Sequence, residues 1–258
     1  VFGYQRKAEE CGAKRRTLPF NFYAFSGKPG VLLKSEWMNM SRKFLFGGLW
    51  LSFLLYALLL APPDDPDTFS LIERLSAGEW AGLNPLIIAL FNLMGIWPMV
   101  YCSVLFADGR GQRLPAWPFA LGSFAFGAFL LLPYLALRQA NPTFKGSKTI
   151  AIRIWDSRWF AATFLLGAIV LMGYGLGMGL SQGWWGDFVT QWQTSRFIHV
   201  MSLDFCLLTL LFPTLIQDDL ARRGVHRRDP LWGLSLFPLV GACLYLVLRP
   251  SLPESQVS

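Results

Sequence analysis

Charge is scarce in this chain. Asp, Glu, Lys and Arg make up 15 % of its 258 residues, where soluble domains carry about 25 %. Histidine is nearly absent, with two residues, and the four cysteines, Cys11, Cys102, Cys206 and Cys243, show no C-x-x-C spacing. That leaves no zinc ribbon, redox pair or disulfide framework to read. No P-loop, H-E-x-x-H, G-x-S-x-G or dinucleotide-binding motif occurs, so no catalytic constellation is in view. These absences exclude soluble enzymes, nucleic-acid binders and secreted disulfide scaffolds.

What fills the chain is apolar. Hydrophobic residues account for 53 % of it and mean hydropathy is +0.40. They are sorted into six stretches, 44–61, 84–107, 116–137, 159–180, 197–216 and 231–248, with all but one of the charged residues outside them; the exception is Asp204. A soluble amphipathic helix keeps a charged face, and these have none. At 1.5 Å per residue each stretch covers about 27–36 Å, enough to cross a hydrocarbon core of about 30 Å. Continuous runs of Leu, Phe, Gly and Ala contradict the alternation of a membrane β-strand. The expected fold is all-α, a polytopic transmembrane bundle of six helices over residues 40–250, with tails at 1–39 and 251–258.

Helix punctuation supports these limits. Ala61-Pro62-Pro63 stops the first span, Asn84-Pro85 opens the second, Leu114-Pro115 and Asp229-Pro230 precede the third and sixth, and Arg249-Pro250 ends the sixth. Pro98, Pro133, Pro213 and Pro238 lie inside spans and read as kinks. Trp50, Trp97, Trp117, Trp159, Trp184, Trp185 and Trp232 fall mostly near span ends, where an indole N–H stays wet. Met40-Ser41-Arg42-Lys43 before Phe44 reads as the start of a membrane protein, and residues 1–39 as an over-extended start or a disordered basic tail. With six crossings, Lys and Arg total 13 on one side and 10 on the other, or 6 and 10 if the chain begins at Met40. The positive-inside rule then selects no orientation.

The halves resemble each other. Ser41-Arg42-Lys43-Phe44 opens the first span and Ser157-Arg158-Trp159-Phe160 the fourth. Asp108-Gly109-Arg110 closes the second, and Asp218-Asp219 with Ala221-Arg222-Arg223-Gly224 the fifth. The third ends Leu135-Ala136-Leu137-Arg138 and the sixth Leu246-Val247-Leu248-Arg249. A three-helix unit repeated in tandem enters from opposite sides, so the expectation is a 3+3 inverted repeat. On these residues, over about 41–250, the chain resembles a family of small three-helix bacterial membrane proteins, itself uncharacterised, with double-length forms in cyanobacteria and chloroplasts. Asp108-Gly109-Arg110-Gly111 departs from that family's acid-Arg-Arg-Gly turn. The resemblance implies a bacterial inner-membrane or thylakoid setting and no established activity.

Asp204, seven residues into the fifth span, is the first candidate. A charge at that depth faces protein, water or a cation by default, and Asn92, Ser103 and Tyr101 are the polar partners within reach of the expected packing. His199 lies about 140° from Asp204 around the helix and shares a face with Cys206. It reads as a pigment ligand or, more simply, an interfacial cap; with one thiol it is too little for a metal. Gly173 with Gly177 and Gly175 with Gly179 form two G-x-x-x-G pairs that admit a neighbouring helix. Asp108, Arg110, Arg113, Asp218, Asp219, Arg222 and Arg223 form charged turns, expected as solvated helix ends with i,i+4 pairs Asp218–Arg222 and Asp219–Arg223. No cofactor is implied, and the partners expected are membrane lipid and other membrane proteins, not nucleic acid. The leading expectation is a non-enzymatic scaffold or assembly protein of membrane, including photosynthetic, complexes. The second is a small proton- or ion-coupled transporter or channel built around Asp204.

Overall fold

The computed structural model describes residues 29–144, 146–225, 231–234 and 237–253. The expected tail segment 1–28 with Cys11, the turn carrying His226 and Asp229-Pro230, and residues 254–258 lie outside the described residues. The chain divides after Met38, and apart from the helical backbone of residues 29–38 everything below concerns the unit from Asn39 onward.

The described residues form an all-α structure: α1 (Pro29–Leu59), α2 (Thr68–Ala77), α3 (Pro85–Asp108), α4 (Trp117–Phe126), α5 (Ala128–Leu137), α6 (Ile150–Trp155), α7 (Arg158–Ser181), α8 (Trp185–Thr194), α9 (Arg196–Leu211), α10 (Pro213–Arg222), α11 (Leu231–Leu234) and α12 (Val240–Leu248). Among the described residues four helices are long and apolar enough to cross a membrane: Met40–Leu59 within α1, Pro85–Asp108, Arg158–Ser181, and Arg196–Arg222, in which α9 runs into α10 through helical Phe212. The punctuation works as expected at α3, where the Asn84 side chain accepts the Leu86 N–H at 2.9 Å and Pro85 takes the first turn. Residues 29–39, expected to be an irregular tail, are helical instead.

The third and sixth stretches are the main correction. A continuous helix over 116–137 would hold its ends about 33 Å apart. Instead the residues flanking it meet: Gln112 Nε2 donates to the Gln139 carbonyl at 2.7 Å, and the Gln139 N–H donates back to Gln112 Oε1 at 2.9 Å. The chain reverses at Gly127, whose φ of +47° favours glycine, so α4 and α5 form a helical hairpin that enters and leaves at one end. The sixth stretch also breaks, at Leu239 with φ +49°, and the Leu234 carbonyl packs so close to Gly241 that any side chain there would collide with it. Hydropathy counts apolar residues and carries no direction. A folded-back hairpin enclosed by protein satisfies it as well as a crossing helix.

α3 is the central column. Trp97, Tyr101, Phe212 and Tyr245 are fully buried around it, with ring centroids 5.6–6.1 Å apart between neighbours. Trp97 is therefore core and not a wet anchor, whereas Trp117, Trp159 and Trp185 are exposed as anchoring requires. Of the glycine pairs, Gly175 and Gly179 face α3, where a Cβ would strike Ala89 and Leu86; Gly173 and Gly177 face open space. Only one pair is a packing seam.

Candidate functional site

Of the residues of the charged turns, Asp108, Asp219, Arg222 and Arg223 are not solvated. Asp108, Asp219, Arg138, Arg222, Arg223 and Arg249 are all buried, in one network at the end of the bundle where α3, α5, α10 and α12 terminate. Asp108 accepts from Tyr134 Oη at 2.7 Å, from Arg138 Nε at 2.8 Å and Nη2 at 2.5 Å, and from Arg222 Nη1 at 2.8 Å. Asp219 accepts from Tyr245 Oη at 2.6 Å, Arg249 Nη1 at 3.0 Å, Arg223 Nε at 2.9 Å and Arg222 Nη2 at 3.4 Å. Each acid is bonded by a tyrosine 26 residues and an arginine 30 residues downstream. Arg222 touches both acids and ties one half of the chain to the other.

A second tier closes the network. Asp218 pairs with Arg138 at 2.5 Å and accepts the Asn141 N–H; Asp156 pairs with Arg223 at 2.7 Å and accepts the Leu252 N–H at 3.0 Å. Burial alone would push the Asp156 carboxyl up, but the Arg223 guanidinium and the Leu252 N–H outweigh it and hold the group below the usual carboxylate range. Of the pairs expected along the helix, Asp219–Arg223 forms; Asp218 turns to Arg138 and Arg222 to Asp108. Arg110 leaves the network for the Ser147 carbonyl and the Phe144 ring, and Arg113 is exposed. Tyr134, Arg138, Tyr245, Arg249 and Asp156 were not foreseen. The signal was there: Tyr134-Leu135-Ala136-Leu137-Arg138 and Tyr245-Leu246-Val247-Leu248-Arg249 place a phenol and a guanidinium at i and i+4, one helix face, in both halves.

Asp204 is held differently. Its Oδ1 accepts the Ala128 N–H at 2.8 Å, the first free donor of α5 at the hairpin tip, where a Cβ on Gly127 would strike the carboxylate. The expected partners do not reach it: Asn92 donates back to the Ile88 carbonyl, Ser103 to Met99, and Tyr101 to Leu208. Among the described residues no cation pairs with Asp204, and Oδ2 accepts no hydrogen bond. His199 is also fully engaged. Its Nδ1 lies 2.8 Å from the Trp192 carbonyl, which only accepts, so Nδ1 carries the proton and Nε2 faces the Tyr56 hydroxyl at 2.7 Å. With Trp192 stacked on the ring, neither nitrogen is free for a pigment.

Asp204 borders a cavity of about 520 Å³ between α1, α3, the hairpin tip and α9. Phe91, Phe124, Phe126, Phe129 and Phe197 line it, and Asp64, Thr68 and Arg196 stand at its polar end, with Asp64 and Arg196 paired at 2.7 Å. Among the described residues no group of three His, Cys, Asp or Glu side chains is placed to hold a metal ion. Comparisons with protein-family models, curated proteins and solved structures give no match.

Proposed function

We propose that this is a small membrane transport protein whose working elements are the α4–α5 hairpin and Asp204. The observation that carries this reading is the meeting of three features at one point: a helix break, a buried carboxylate and a cavity. Irregular backbone at membrane depth is tolerated where it is buried or lines a cavity, and intramembrane acids mark solute or ion pathways. The geometry of 116–137 and 231–248 favours four crossings with two folded-back hairpins. Each repeat then holds two crossings and one hairpin, so the repeats run parallel and not inverted. The same topology sorts the charge. From Met40 on, eleven described Lys and Arg residues fall at the buried network's end of the spans; Arg74 and Arg196 fall at the other, with Asp64, Asp65, Asp67, Glu73, Glu79 and Asp187. By the positive-inside rule the network faces the cytoplasmic (or stromal) side and the cavity opens from the opposite face.

The test is ion or proton flux in proteoliposomes. Asp204→Asn keeps an oxygen for the Ala128 N–H while removing the charge, and is expected to abolish coupled flux; unchanged flux removes Asp204 from the mechanism. The scaffold reading draws on the exposed apolar faces of α1 and α7, including Leu58, Leu166 and Val170. It predicts co-purification with other membrane proteins in mild detergent, and a monomer inert in both assays would end both readings.

A further inference from the structure

The cavity has three properties that together specify a class of ligand. Its walls are mainly apolar and include five phenylalanines. Leu58, Phe124 and Phe126 are at once cavity wall and exposed surface, so the cavity opens sideways where lipid chains would lie as well as toward Asp64 and Arg196. Its charged lining is unbalanced: Arg196 is neutralised by Asp64 at 2.7 Å, leaving Asp204, 6 % exposed, with no cation. The eight residues from Arg196 to Asp204 separate the polar end from the acid by about 12 Å along α9.

We propose that this cavity binds a lipophilic organic cation, entered from the bilayer and held between the phenylalanine faces and the Asp204 carboxylate. Aromatic faces attract a cation through the ring quadrupole, most strongly where water is excluded. A buried carboxylate without a counter-ion is costly to keep charged, and a cation brought beside it favours the charged form and pairs with it. A cavity of about 520 Å³ lies within the roughly 300–1,000 Å³ range of small-molecule sites. Simple metal ions fit it poorly, because one carboxylate among phenylalanines offers too few oxygens to replace their water. The inference names the substrate class of the transport reading and rests on it for the site's use, but occupancy is measurable without flux.

The experiment is equilibrium binding of tetraphenylphosphonium to the purified full chain in lipid nanodiscs, with neutral triphenylphosphine oxide as competitor. Saturable binding at one site is expected, weakened about tenfold or more by Asp204→Asn and by Gly95→Leu, and indifferent to the oxide. Gly95 lines the cavity and has open space where its Cβ would stand. Gly95→Leu therefore puts a side chain into the cavity while leaving the Asp204 carboxylate in place, and decides the matter if Asp204→Asn does not fold. Absent binding, binding unchanged in both folded variants, or equal competition by the oxide overturns the proposal. Binding without any flux keeps the cation site and removes transport; proton flux without binding removes the cation site and keeps transport.

Discussion

Asp108 and Asp219 sit in the same frame, each with a tyrosine and an arginine at matching distance along the chain, yet their surroundings differ. Asp108 shares its arginine with a second acid: Arg138 also pairs with Asp218. Asp219 stands among three arginines, 222, 223 and 249. The consequence appears in the two arginines that correspond. Burial works against charge in Arg138, but Asp108 and Asp218 outweigh it and hold the guanidinium above its ordinary value. For Arg249, burial and the neighbouring Arg223 prevail over Asp219, and the group sits below it. The cause is a short stretch of sequence. Residues 222 and 223 are arginines, whereas the positions equally far past Asp108 are Gly111 and Gln112. The first half borrows Arg222 from the second, which makes the network a clasp between halves as well as a feature of each.

This difference predicts unequal costs. Removing one partner of a buried ion pair leaves the other uncompensated, at about 3–5 kcal/mol. Asp219→Asn takes an acid from three guanidiniums at once. Arg222 keeps Asp108 and Arg223 keeps Asp156, but Arg249 is left with only Asp156 at 3.9 Å, so the loss is expected at the upper end of that range. Asp108→Asn falls at the lower end, because Arg138 keeps Asp218 and Arg222 keeps Asp219. Thermal unfolding of both variants in the same detergent gives the order, and equal losses would break the comparison. Where the two halves are alike, the effects should be alike. Tyr134→Phe and Tyr245→Phe each remove one hydrogen bond to a carboxylate, about 1.5–3 kcal/mol, and should match within error. A large inequality there would mean that the shared spacing of 26 residues does not reflect a shared role.

The division between what the sequence disclosed and what it hid follows from the physics of each signal. Apolar length and end-caps gave α3 and α7 nearly to the residue, because both are local properties of the chain. The fold-back at Gly127 was hidden, since the residue that favours it, Asp204, lies 76 positions beyond the Ala128 N–H it accepts. Asp204 stood out as the lone charge in a span, but its partner was a backbone N–H, which no side-chain pattern advertises. The acid turns were visible and misjudged: Arg and Asp at a helix end read as solvated unless the arginines that bury them, Arg138 and Arg249, are brought in from other helices.

The smallest expected effect tests the second tier, where the halves use unrelated acids. Asp156 precedes α7 and Asp218 lies within α10, yet each accepts a backbone N–H three residues past the matching arginine, from Leu252 and Asn141. Asp156 has a folded-state value below its ordinary one, near 3.9 for an unfolded aspartate. A depressed carboxyl contributes stability that is present above the unfolded value and is lost as pH falls through the folded one. The stability difference between the native chain and Asp156→Asn should therefore be constant from neutral pH to about 5 and shrink below about pH 4. A difference unchanged down to pH 2, in chemical denaturation followed by tryptophan fluorescence, would show that Asp156 acts by shape and not by charge. The second tier would then be no counterpart of the Asp218 pair.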